Sequence, residues 1–483
     1  MMTLSELVAL SAVLSLSHAK EVAVNMKMKA ELFDSGVRHE QIMAIKHQTW
    51  ANQARIGAYA SEQYKSFGAA DFVPCTNGVA SYVPGDPKYT FKCNNLDLYD
   101  FKTHAELGNS SGRGAGSWGW TSPEGREFIA IGQEDGTAFA EVTKSGKLAY
   151  LGRLPQSRGA EKSIWREIKG YNSYIIIGSE ADRHGVQIFD LRQLLQINPT
   201  SPKRFDNVND LAGYWTEGLP LGRSHNVAVN EEKKYGVATG FQPRNASLRA
   251  GLVFFDLTDP SKPTTLGGTG IDGYVHDAQC IVYRGPDKKY DGKDICYGYD
   301  EDSLTIFDVT DKKSIKIISN TSYEGFSYTH QGWVLDPKWQ QFLITDDEYD
   351  EVQGNGFAQG GYPVSYIWDI SSLESPKQTG HFVGPRKGID HNQYVKDGFA
   401  YQSNYGLGLS VLDLRSVPTD PTGKGIKQSA FFDTYPEDDN LPGGGNVTFT
   451  GTWSNYPYFA SGFIVINTMD RGAFVVKQSA AAA

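Results

Sequence analysis

His225-Asn226-Val227-Ala228-Val229 reads as a polar pair followed by an apolar strand, and the pair returns downstream as His276-Asp277, His330-Gln331 and His391-Asn392. A second apolar strand follows each run. A third then ends in aliphatic-Asp-aliphatic: Val253-Phe254-Phe255-Asp256-Leu257, Thr305-Ile306-Phe307-Asp308-Val309, Tyr366-Ile367-Trp368-Asp369-Ile370 and Val411-Leu412-Asp413-Leu414. Earlier units open on Trp118-Gly119-Trp120 and Trp165-Arg166-Glu167, and a last one opens on Trp453. Strand-only units recurring every ~45–60 residues with Gly-rich turns are the signature of a propeller, whose four-stranded blades surround a channel.

Seven units can be counted. The last, Trp453 to Lys477, shows only three strands, and Asn95 to Phe101 reads as a strand with no neighbour in sequence. A ring closes well when one blade draws strands from both chain ends, so Asn95–Phe101 is expected to complete the last blade. The fold class is therefore all-β: a seven-bladed β-propeller over 93–478. Val22 to Phe67 lacks strand alternation, and Met26, Ala30, Leu32, Phe33, Val37, Ile42 and Ile45 recur at three- and four-residue steps. That assigns 20–67 to a helical N-terminal extension, 68–92 to a disulfide-bearing loop and 479–483 to a disordered tail.

The formal charge of -10 argues against nucleic acid or an anionic membrane as main partner. Leu7 to Leu16 is apolar and Ser17-His18-Ala19 has small-residue cleavage character, so 1–19 reads as a secretory signal despite an n-region without Lys or Arg. No other stretch approaches a membrane span. The expected address is extracellular. In that compartment the four cysteines pair locally, Cys75 with Cys93 and Cys280 with Cys296. Four N-x-S/T sequons, at Asn109, Asn245, Asn320 and Asn446, are candidate glycan acceptors.

The ordered phrases resemble the LVIVD-repeat, choice-of-anchor-B family of extracellular proteins from about Cys93 to Val476. The resemblance rests on Trp118-Gly119-Trp120, Trp165-Arg166-Glu167-Ile168-Lys169, His184-Gly185-Val186-Gln187-Ile188-Phe189-Asp190-Leu191 and Ser224-His225-Asn226. It continues through Tyr274-Val275-His276-Asp277-Ala278-Gln279-Cys280, Tyr328-Thr329-His330-Gln331-Gly332-Trp333, Asp346-Asp347-Glu348 and Arg471-Gly472-Ala473-Phe474. It implies a secreted β-propeller and no defined activity. The helical extension departs from the family's bacterial members.

Strand starts and second-to-third-strand turns share one face of a propeller. That face should gather the four histidine pairs with Glu134-Asp135, Glu180, Asp182, Asp300-Glu301-Asp302 and Asp346-Asp347-Glu348. His225, His276, His330 and His391, with Asp277, Asp346 and Glu348, are the candidate ligands of one divalent metal ion at the channel mouth. Glu167, Glu180 and Asp390 are candidates to join or orient them. The alternative is a clip, each ring bonding a neighbouring blade's backbone or acid. Asp346 to Glu351 is either a hard-cation loop or a solvated acidic loop. The recurrent Asp190, Asp256, Asp308, Asp369 and Asp413 suit turn stabilisation, and Tyr362, Tyr366, Tyr405 and Tyr456 are candidate sugar contacts. G-x-S-x-G, P-loop, H-E-x-x-H and dinucleotide motifs are absent from the sequence. Two functions remain: a secreted non-catalytic scaffold presenting one face to a protein or glycan of matrix or cell wall, or a metal-dependent hydrolase or oxidoreductase. If a site exists, it is expected on the histidine face.

Overall fold

The strand ladders form seven sheets arranged as a seven-bladed β-propeller in a computed structural model that describes residues 21–68, 71–109 and 112–480. The apolar leader with Ser17-His18-Ala19 and the final Ala481–Ala483 lie outside the described residues. Blade 1 runs through Gly114–Thr121, Glu127–Gln133, Gly136–Val142 and Leu148–Pro155, with Lys203–Arg204 added in parallel at its rim. Blades 2 to 6 open with Ile168–Tyr171, Asn226–Asn230, Asp277–Val282, Thr329–Val334 and Gln393–Lys396. Blade 7 takes Thr452–Tyr456, Phe463–Thr468 and Gly472–Gln478, and its fourth strand is Leu96–Thr103, pairing antiparallel with Gly472–Gln478. The ring closes as its strand count requires.

The same irregularity recurs in every blade. Between third and fourth strands the register slips once, at Phe139/Ala140, Ile188/Phe189, Phe254/Phe255, Ile306/Phe307, Ile367/Trp368, Val411/Leu412 and Val475/Val476. A bulge increases local twist, which a radial blade needs between axis and rim. Third strands end on the recurrent aspartates. Oδ1 of Asp190, Asp256, Asp308, Asp369 and Asp413 accepts the backbone N–H two residues on, at 2.7–3.1 Å, the hydrogen bond of an Asx turn.

The cores lie between blades. One cluster joins Phe342, Ile344 and Ile367 of blade 5 to Val395, Ala400 and Leu412 of blade 6; another joins Ile129 and Ala138 of blade 1 to Val465 and Val475 of blade 7. Both disulfides form as paired above. Cys280 and Cys296 stand opposite each other on adjacent strands, and Cys75–Cys93 ties 68–92 to the ring. That segment is more ordered than a loop. Val79–Ser81 pairs with Thr90–Asn94, which extends blade 6 beyond its fourth strand. Ser479, read above as tail, is held: its hydroxyl donates to Asp97 Oδ1 at 2.7 Å and its N–H to Asn95 O at 3.0 Å.

The N-terminal extension is not helical throughout: Glu21–Val22 is a strand that pairs antiparallel with Ser322 and Tyr323 at the rim of blade 4, and the helical part that follows lies across the histidine face. A π-helical stretch, Lys29–Asp34, leads through Gly36 (φ 84°) into the helix Val37–Arg55. The left-handed φ at Gly36 is one that side-chain-bearing residues rarely adopt, so the glycine permits the sharp entry. His39, Ile42, Lys46, Trp50 and Gln53 form one stripe at helical spacing, and that stripe faces the propeller. His39 Nδ1 lies 2.9 Å from the Tyr328 hydroxyl, Trp50 Nε1 donates to Phe449 O at 2.9 Å, and Gln53 donates to the Tyr435 hydroxyl. No helix among the described residues is long and apolar enough to cross a membrane.

Candidate functional site: the two ends of the central channel

The four histidines sit where consecutive first strands begin, so their rings follow one another around the channel. Centroids are 4.2 Å apart for His225–His276, 4.4 Å for His276–His330 and 4.6 Å for His330–His391, and the Trp453 ring follows at 4.9 Å. Each Nδ1 faces an acceptor: Glu180 Oε1 for His225, the His330 carbonyl (2.9 Å) for His276, Asp346 Oδ1 (3.1 Å) for His330 and the Trp453 carbonyl (2.8 Å) for His391. These bonds are the inter-blade clip for His225, His276 and His391, to an acid in the first and to backbone in the other two. The carbonyl acceptors also place the proton on Nδ1 of His276 and His391, leaving Nε2 there as an unshared pair. Among the described residues none of the four Nε2 atoms makes a protein hydrogen bond; His391 Nε2 lies 3.6 Å from Glu348 Oε1. Burial pushes the His276 and His330 imidazoles well below their ordinary range, and His391 down to about 4.

Glu348 stands at the centre of this end. Lys46, from the covering helix, donates to its two oxygens at 2.7 and 2.8 Å, and the Tyr405 hydroxyl adds a third bond. Burial pushes the carboxyl up, but the Lys46 ammonium and the nearby imidazoles outweigh it and hold Glu348 down at about 2. Ligand atoms of His276, His330 and Glu348 all lie within 4.8 Å of one another, the one such metal-competent group among the described residues. His225 and His391 flank this set without joining it.

The remaining candidate carboxylates have other work. Asp277 accepts from Gln331 Nε2 at 2.9 Å and from Ala278 N, facing the inner wall rather than the imidazoles. Asp346 holds the His330 ring with Oδ1 and takes Gln393 Nε2 on Oδ2 at 3.0 Å. Glu167 accepts the Trp453 indole N–H at 2.6 Å, and Glu180 holds His225. Asp390 is the exception: its backbone N–H donates to Glu351 Oε1, while neither of its buried carboxylate oxygens has a hydrogen-bond partner among the described residues.

The acidic run is no solvated loop: Asp346, Asp347, Glu348, Asp350 and Glu351 are all buried. Asp347 accepts four backbone N–H groups, from Ser327, Tyr328, Tyr349 and Asp350, plus the Tyr323 hydroxyl. Burial raises the carboxyls of Asp350 and Glu351 well above the usual carboxylate range.

An aromatic cavity lies at the other end of the channel, while the histidine end has cavities beside the covering helix, one of about 560 Å³ against His47, Trp50 and Glu134 and one of about 670 Å³ against His39 and Arg244. At the aromatic end, first strands run out into the turns before second strands, and every blade contributes to a cavity of about 460 Å³. Trp118, Trp120, Trp333, Tyr456 and Tyr458 form its wall. The Trp118 and Tyr456 centroids are 5.5 Å apart and those of Tyr456 and Tyr458 5.6 Å, an edge-packed collar in the geometry aromatic quadrupoles favour. Lys169 is buried beside this collar, its Nζ 5.8 Å from the centroids of both Trp118 and Tyr394. Burial would lower its pKa; Tyr394, Asp277 and Glu167 reverse that and raise it. Gln279, Asn172 and Glu231 supply polar edges.

Of the tyrosines proposed for sugar contact only Tyr456 lines this cavity; Tyr366 and Tyr405 are fully buried. Sequence reasoning missed Trp333, Tyr458 and Lys169 as cavity residues. Their alternation with core residues on first strands was the available signal. Asn245 and Asn446 are exposed. Asn109 is 1% exposed, and Asn320 Nδ2 donates to Asp272 and Thr305, so glycans there are incompatible with this packing.

No family model matches the chain, and no curated protein matches it. Among solved structures it is similar to the Cps50 (Swd1) β-propeller domain of Myceliophteria thermophila. Identity is 11% and TM-score 0.39, over 73% of this chain and 93% of that one. The propeller assignment rests on strand pairing, to which so distant a likeness adds nothing.

Proposed function

We propose that this chain is a secreted, non-catalytic β-propeller that binds a neutral glycan of matrix or cell wall through the aromatic end of its channel. The observation that carries this reading is the collar of Trp118, Trp120, Trp333, Tyr456 and Tyr458 around a cavity of about 460 Å³ with polar Gln279, Asn172 and Glu231 at its edge. Its size suits a small ligand or chain end. A pyranose has apolar C–H faces and hydroxyl edges, and aromatic walls broken by side-chain amides and a carboxylate match both. The apolar leader, the two disulfides and the likeness to LVIVD-repeat, choice-of-anchor-B propellers support an extracellular address. The rival reading, a metal-dependent hydrolase or oxidoreductase at the histidines, requires substrate access at the end that Val37–Arg55 covers.

The test is titration calorimetry with neutral β-linked oligosaccharides against the full chain and its Trp333→Ala and Trp118→Ala variants. Saturable binding weakened at least tenfold in either variant, with the circular dichroism spectrum unchanged, supports the reading. Absence of saturable binding, or binding indifferent to both substitutions, defeats it.

A further inference from the structure

We propose that Nε2 of His276, Nε2 of His330 and a carboxylate oxygen of Glu348 form a binding site for one divalent first-row transition ion of the zinc type. The site does not depend on the glycan reading, because it lies at the opposite end of the channel.

Three observations converge. First, one ligand atom from each of the three residues lies within 4.8 Å of the others, so a small side-chain adjustment brings all three to ligand distances of ~2.0–2.2 Å from a single ion. Second, each imidazole is held by its other nitrogen, His276 by the His330 carbonyl at 2.9 Å and His330 by Asp346 Oδ1 at 3.1 Å. Metal-ligating histidines are oriented in this way, with one ring nitrogen held and Nε2 left to take an ion. Third, the enclosed end gathers acceptors: imidazole lone pairs and a carboxylate, with Lys46 and Tyr405 as the donors to Glu348. Two nitrogens and one oxygen select a borderline ion of the zinc or iron(II) class over calcium, which prefers six to eight oxygens.

Lys46 sets the affinity. Its ammonium bonds both oxygens of Glu348, so an incoming ion must take one oxygen from it and then tolerate a positive charge close by. Lys46 is therefore a built-in competitor, and its removal should tighten binding.

The experiment is zinc titration of the metal-stripped full chain, with bound zinc counted by elemental analysis. Cobalt(II) absorption serves as a second readout on unmutated protein. One zinc per chain is expected, with at least 100-fold weaker binding in His276→Ala and His330→Ala. Asp346→Asn, a positioning change, should weaken binding about tenfold and alter the cobalt spectrum, and Lys46→Met should bind at least tenfold tighter. Zinc bound equally well by His330→Ala overturns the assignment. So does a failure of both the unmutated chain and Lys46→Met to take up zinc or to develop cobalt bands.

Discussion

Lys46 Nζ lies 2.7 Å from one oxygen of Glu348 and 2.8 Å from the other, joining residues 302 positions apart in a buried pair. The contact clamps the N-terminal helix to the centre of the propeller. Both side chains are out of water, so each depends on the other for its charge to be tolerated.

Breaking that pair should be costly. In metal-free protein Lys46→Met is expected to lower unfolding stability by about 3–5 kcal/mol, since it leaves the Glu348 carboxylate buried and uncompensated. The same change should expose Val37–Arg55 to limited proteolysis. An unchanged denaturation midpoint and an uncut helix would show that the ion pair is dispensable.

Asp308→Ala removes one Asx turn, where Oδ1 accepts Thr310 N at 3.1 Å. A loss of about 1 kcal/mol is expected, the usual net worth of one hydrogen bond. Asp256→Ala should lose a similar amount, because Thr258 N bonds Asp256 Oδ1 at 2.7 Å in the same way. Urea denaturation measures both. Losses above ~3 kcal/mol in either would point to a role beyond the turn.

Burial, aided by the neighbouring Asp433 and Asp439 carboxylates, pushes Asp438 up to about 7, against ~3.9 in an unfolded chain. Between those values the folded state holds a proton that the unfolded state has released. The resulting stabilisation is complete below pH ~4 and disappears as pH rises through about 7. Asp438→Asn should therefore gain on the parent protein as pH rises from 5 to 8, by roughly 1–3 kcal/mol after solvent screening. Parallel stability curves for the two proteins would refute this.

Cys75→Ser with Cys93→Ser removes a crosslink spanning 18 residues. The expected cost is about 3 kcal/mol, from the freedom returned to the unfolded chain. Hydrogen exchange should rise first in Val79–Ser81 and Thr90–Asn94. A double variant with parental stability would mean that strand pairing alone holds this segment.

The propeller was legible because its signal is periodic: a polar pair, three apolar runs and an aspartate, repeated with few exceptions from Trp118 to Trp453. The closing strand was legible by elimination, because Leu96–Thr103 has no local partner while the last blade lacks one. The seating of the helix was hidden. Its docking stripe contains Lys46 and His39, which apolar periodicity scores as solvent-facing. The burial of Asp347, Asp350 and Glu351 was hidden for a similar reason: five carboxylates in six residues look hydrated until Ser327, Tyr328 and Tyr366 are known to meet them. Which histidines share a ligand set was hidden too, since His225 and His391 occupy the same repeat position as His276 and His330 and differ only in what surrounds them.

Closure of the ring has a temporal consequence. Leu96–Thr103 pairs with Gly472–Gln478, so a segment made early by the ribosome can join its sheet only after nearly the whole chain has emerged. Thr90–Asn94 waits similarly for Lys427–Phe432, and Lys46 for Glu348. The helix over the histidines thus takes its seat only once blade 5 exists to receive it, through Lys46 on Glu348 and His39 on Tyr328.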